Sequence, residues 1–154
     1  MSDTNTSVSR RRFCAEACQV ASLATLFSAC GEGSPTSPSG MASLLGVLSG
    51  RFMGSGVQVT VAGSPLADVG GAVLVESIAG VFLVARTSAS AFSAVDAVCS
   101  HQSCTITGTD GDTYVCPCHG SRYNRSGQVV HGPAMASLRR FSTTVADGVV
   151  TIAL

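Results

Sequence analysis

Seven cysteines and three histidines stand in this chain of 154 residues, and most of them fall together between positions 99 and 119. Cys99 and His101 form a Cys-x-His pair, and Cys116 and His119 form a Cys-x-x-His pair fourteen residues further on. Each pair offers one thiolate and one imidazole. Thiolates hold the iron of ordinary two-iron, two-sulfide clusters, and replacing two of them on one iron by neutral histidines leaves the cluster less negative and raises its potential. Two cysteines and two histidines also satisfy a tetrahedral structural zinc ion. Spacing alone leaves both chemistries open.

The elements that must position these residues read as short strands. Thr105 to Thr107 and Thr113 to Val115 flank Thr109, Asp110, Gly111 and Asp112, so a hairpin brings the two pairs face to face. Val57, Val59 and Val61 alternate with Gln58 and Thr60 at the period of a half-buried strand, and Val81 to Ala85 reads as a strand buried on both faces. Asp147 and Gly148, between two alternating stretches, mark a closing hairpin. The apolar patch from Leu44 to Leu48 takes no element from its pattern. Without an amphipathic helix of useful length, the pattern predicts an all-β fold, an antiparallel β sandwich or barrel whose end loops carry the chemistry.

The fuller text, CSHQSC from Cys99 and CPCHGSRY from Cys116, closely resembles the paired motifs of the Rieske family. The resemblance runs from Gly56 to the carboxyl terminus, with Gly70 and Gly71 before a strand and Gly132, Pro133 and Ala134 after the site. It implies a 2Fe-2S cluster on Cys99, His101, Cys116 and His119, in a small subdomain over residues 97–136 resting on antiparallel strands. It also implies a disulfide between Cys104 and Cys118, the mark of the high-potential, quinol-oxidising type and a bond suited to an oxidising compartment. Ser121 and Tyr123 match hydroxyls that donate to a bridging sulfide and to a cysteine ligand, and so stabilise the reduced cluster. His119 matches the histidine that contacts quinol, whereas His131 matches no ligand and is expected on a loop before Gly132. Three positions depart from the family: Gln102 and Met135 replace an apolar residue and a proline near the cluster. Ser103 replaces a glycine, a change that suits only a backbone without a positive φ.

Nine arginines balance nine acidic residues, so the chain shows no nucleic-acid footprint. Arg10, Arg11 and Arg12 lead into an apolar stretch ending at Cys30, the layout of a twin-arginine export signal resting on Arg10 and Arg11. The uncharged part, Ala17 to Ala29, is shorter than the roughly 20 residues a membrane-spanning helix needs. Phe27-Ser28-Ala29-Cys30 resembles a lipobox, with Cys30 as the acylated residue. The expected organisation is therefore a signal over 1–30, a flexible tether over 31–55 that opens on GEGSPTSPSG, and a Rieske domain over 56–154. The implied protein sits at the outer face of a membrane or in the periplasm. It passes single electrons from a quinol or an enzyme to a cytochrome, with redox proteins or a quinol-oxidising membrane complex as partners. The alternative is the Rieske small subunit of an exported molybdenum oxidase of the arsenite oxidase type.

Overall fold

The computed structural model describes residues 42–154 and opens with β1 (Ser43–Leu44), β2 (Gly46–Ser49), β3 (Arg51–Met53) and β4 (Gly56–Thr60). A single 3-10 turn, Pro65–Ala67, leads to β5 (Ala72–Ser77), β6 (Gly80–Arg86) and β7 (Phe92–Asp96). Then come β8 (Gly108–Asp110), β9 (Thr113–Val115), β10 (Arg122–Asn124) and β11 (Val129–His131), and last β12 (Arg140–Phe141), β13 (Thr143–Ala146) and β14 (Val149–Ala153). Arg10, Arg11, Cys30 and the first part of the expected tether lie outside the described residues.

These strands form three sheets, ordered β1-β8-β9-β10-β11, β12-β7-β6-β5-β2 and β13-β14-β4-β3. The second sheet is the middle layer. Val73, Val75, Phe82, Val84 and Ala94 point from it into a core shared with Val57, Val59 and Ile152 of the third sheet. Leu74, Leu83, Ala85 and Val95 point the other way, into a core with Tyr114, Tyr123, Cys99 and Cys116. A strand buried on both faces reads as a continuous apolar run, which explains the unbroken sequence of β6. β4 is covered on one face only, and its alternation follows: Val57 and Val59 are buried while Thr60 is exposed.

The all-β reading holds, with one addition, because β2 pairs with β5 in parallel while the other strand pairs are antiparallel. The turn at Asp147 and Gly148 forms as expected, with φ of 50° and 71°, the pair of positive angles that the tight hairpin turn requires. The hairpin between the ligand pairs also forms, but it is tighter than the sequence suggests. Thr109 and Asp110 belong to β8, Asp110 pairs with Thr113, and only Gly111 and Asp112 turn. The tether requires correction at its carboxyl end, since Ser43 to Met53 contributes β1, β2 and β3 to the three sheets in turn. The folded domain therefore begins before Gly56. His131 likewise ends β11 rather than lying on a loop.

Candidate metal centre

Two loops and one bracing segment meet at the end of the first sheet. The first loop leaves the middle sheet after Asp96, whose carboxylate accepts from the Val98 N–H at 2.9 Å. Its neck is closed by the Cys99 N–H donating to the Cys104 carbonyl at 2.8 Å, and by the Ser103 N–H donating to the Cys99 carbonyl at 2.9 Å. That tight return forces Ser103 to φ of 57°. The expectation that this backbone avoids a positive φ is therefore wrong, and serine occupies a conformation that glycine takes without cost. The second loop closes in the same way, with Cys116 N–H on the Ser121 carbonyl at 2.9 Å and Gly120 N–H on the Cys116 carbonyl at 3.0 Å. Gly120 sits at φ of 73°, where its lack of a side chain removes the strain that Ser103 bears.

The loops carry the sequence-predicted residues to one place. Cys99 and Cys116 are buried free thiols, while the rings of His101 and His119 stand edge to face with centroids 5.0 Å apart. His101 is half-buried and its Nδ1 is fully buried with no hydrogen-bond partner, whereas His119 is exposed. Cys104 and Cys118 form the expected disulfide, which ties one loop to the other, and the Cys116 sulfur lies within 4.8 Å of both its sulfurs.

The hydroxyls behind the thiols are buried too. Tyr123 is fully buried, and its oxygen lies 3.3 Å from Cys99 Sγ. Ser121 is fully buried, and its Oγ accepts from the Ala134 N–H at 3.0 Å, fastening the segment that follows Gly132 and Pro133. These contacts set the electrostatics. Burial pushes the Cys99 thiol up, but the Tyr123 hydroxyl and the neighbouring backbone amides outweigh it and hold the group below its ordinary value. Burial pushes Cys116 up, and Cys99 beside it reinforces the shift. Burial raises Tyr123 as well, with Cys99 adding to it.

The chain's segment over residues 54–142 matches the Rieske [2Fe-2S] domain family, more than half of the sequence. The chain belongs to the Rieske family. Its cofactor is a 2Fe-2S cluster, and it is similar to curated iron-sulfur subunits of the cytochrome b6-f complex. It is 44% identical over 57 residues to the chloroplastic cytochrome b6-f complex iron-sulfur subunit of Oryza sativa, covering 36% of this chain and 25% of that protein. Against iron-sulfur subunit 2 of the same complex in Synechocystis it is 44% identical over 54 residues, 34% of this chain and 30% of the relative. The match thus spans about a third or less of these relatives' length. Among solved structures, the plasma membrane Rieske protein of Synechocystis PCC 6803 superposes with a TM-score of 0.50 at 26% identity, over 54% of this chain and 86% of that one. A chain from the complex of reduced oxygenase and oxidised ferredoxin in carbazole 1,9a-dioxygenase gives 0.51 at 26% identity, over 61% and 96%.

The Rieske motifs do not draw attention to Ser100, although its N–H and its Oγ both contact the Tyr123 hydroxyl. The only available signal was a hydroxyl residue between Cys99 and His101. Gln102 and Met135, the two departures near the site, are both exposed, Met135 almost completely at 96%.

Proposed function

We propose that Cys99, His101, Cys116 and His119 hold the cluster and that the protein is an exported, membrane-tethered carrier of single electrons. Two observations carry this reading: the buried free thiols of Cys99 and Cys116 lie against each other, and the rings of His101 and His119, one from each of the same two loops, stand edge to face. The donor set fits. Nδ1 of His101 is a buried nitrogen without a partner, a costly arrangement that a metal bond resolves. Ser121 accepts through its Oγ and so keeps its own hydrogen for a buried acceptor, as an inorganic sulfide provides. When bound, the cluster supplies a one-electron store whose potential is raised by two neutral ligands.

The chain's own residues do the rest. The Tyr123 hydroxyl is within reach of the Cys99 sulfur, the free hydrogen of Ser121 would serve a cluster sulfide, both would favour the reduced state, and the disulfide ties the two loops together. Exposed His119 offers the contact for a quinol or a redox protein, with exposed Gln102 and Met135 beside the site. Relatives named as iron-sulfur subunits of the cytochrome b6-f complex support a cytochrome-containing redox complex as partner, and the Cys104–Cys118 disulfide supports a quinol as donor. Arg10 and Arg11 support export of a domain already folded around its cluster, and Cys30 supports a lipid anchor at the outer face of the membrane. No helix among the described residues is long and apolar enough to cross a membrane.

The test is electron exchange by the cluster-loaded protein, followed in a stopped-flow spectrometer. A short-chain quinol reduces it, and a c-type cytochrome reoxidises it with one electron per chain. A reduced protein that no c-type cytochrome reoxidises contradicts the proposal.

A further inference from the structure

Tyr123 has one hydroxyl hydrogen and two acceptors for it. Its oxygen lies 3.3 Å from Cys99 Sγ and 3.1 Å from Ser100 Oγ. The other bonds around this triangle decide who donates. The Ser100 N–H donates to the Tyr123 oxygen at 3.2 Å, and the Ser100 hydroxyl donates to the Ala136 carbonyl at 2.6 Å. A carbonyl only accepts, so the Ser100 hydrogen is committed and its oxygen faces Tyr123 as an acceptor. Tyr123 is fully buried, and water offers no third acceptor.

We propose that Ser100 is a positioning residue that competes with Cys99 for the Tyr123 hydrogen, making the hydrogen bond to this sulfur dependent on the redox state. The inference rests on the proposed role of Cys99 as a cluster ligand. An added electron makes the ligand sulfur more negative, and hydrogen bonds to charged acceptors are roughly twice as strong as neutral ones. The reduced state therefore draws the hydrogen to Cys99. In the oxidised state the sulfur is a weaker acceptor, and the hydrogen divides between Cys99 and Ser100 by rotation of one hydroxyl, without movement of any heavy atom. The second orientation belongs to the oxidised state, so Ser100 stabilises that state and lowers the potential below what Tyr123 alone would set. An even division doubles the statistical weight of the oxidised state. Removing it shifts the oxidised-to-reduced ratio twofold, or about 18 mV at 59 mV per tenfold for one electron.

Redox titrations of the cluster-loaded protein test this, with the cluster verified in each sample by its visible and EPR spectra. Ser100→Ala raises the potential by about the twofold ratio, and Ser100→Val, which fills the space without an oxygen, raises it too. Ser100→Thr keeps the hydroxyl and the original potential. In a Tyr123→Phe background the Ser100→Ala shift vanishes, because no hydrogen is left to compete for. A fall or no change in Ser100→Ala, or the same shift with Tyr123 absent, overturns the inference while leaving the ligand assignment standing. Absence of the cluster from the unsubstituted protein overturns the ligand assignment and the inference together.

Discussion

Ser121→Ala separates tuning of the cluster from bracing of the fold, because one hydroxyl serves both. Its Oγ accepts from the Ala134 N–H at 3.0 Å, and Ala134 is itself only 4% exposed. Removing the oxygen strands a buried donor, which costs about 1–3 kcal/mol of stability. On the proposed ligand set its own hydrogen would donate to a cluster sulfide, a bond that would be stronger when the cluster carries the extra electron. Taking that difference as about 1 kcal/mol, with 59 mV corresponding to the 1.4 kcal/mol of a tenfold ratio, Ser121→Ala lowers the potential by about 40 mV. A redox titration and a thermal melt of the same loaded samples read the two effects independently. A lower melting temperature with an unchanged potential would refute the tuning role and leave Ser121 as a brace for the segment after Pro133.

Replacing Cys104 and Cys118 together by serine opens a link across 14 positions, worth up to about 3 kcal/mol of chain entropy, so the denaturant midpoint falls and the cluster is lost faster. The β8–β9 hairpin already closes most of that loop, which keeps the loss below the chain-entropy limit. Ser103→Gly relieves a left-handed serine and stabilises the loaded protein by roughly 0.5–1 kcal/mol after the entropy of glycine is subtracted, visible as a higher melting temperature. Gly71→Ala drives a Cβ into the Pro65 carbonyl oxygen, so it must displace the 3-10 turn and lower the melting temperature. Arg10→Lys with Arg11→Lys retains the protein in the cytoplasm, and Cys30→Ser moves exported protein from the membrane to the soluble fraction, as cell fractionation will show. A mutant that stays with the membrane argues for a retained helix.

The chemistry was legible because a metal centre needs particular atoms, and the text around Cys99 and Cys116 supplies them in order. The two-faced burial of β6 was legible for a similar reason, since only a middle layer tolerates so long an apolar run. The segment from Ser43 to Met53 was not. Two of its strands lie against partners distant in sequence, β8 for β1 and β5 for β2, and β3 alone pairs locally, with β4 across a turn. Leu44 and Val47 remain exposed at 81% and 57%, so no local alternation announces the pairing. Ser103 misleads in the opposite direction, because its residue type argues against the conformation that the Cys99–Cys104 loop imposes on it. Ser100 went unnoticed because its role depends on two hydrogen bonds to residues far along the chain, Tyr123 and Ala136.

The central claim is that two cysteines and two histidines of two facing loops share one cluster. Pulsed EPR of the dithionite-reduced protein with nitrogen-15 histidine tests it most directly. Two histidine nitrogens couple strongly to the electron spin in the unsubstituted protein, and His101→Ala abolishes that two-nitrogen signature. A reduced cluster without histidine coupling, or a colourless protein holding one zinc ion, would contradict the account.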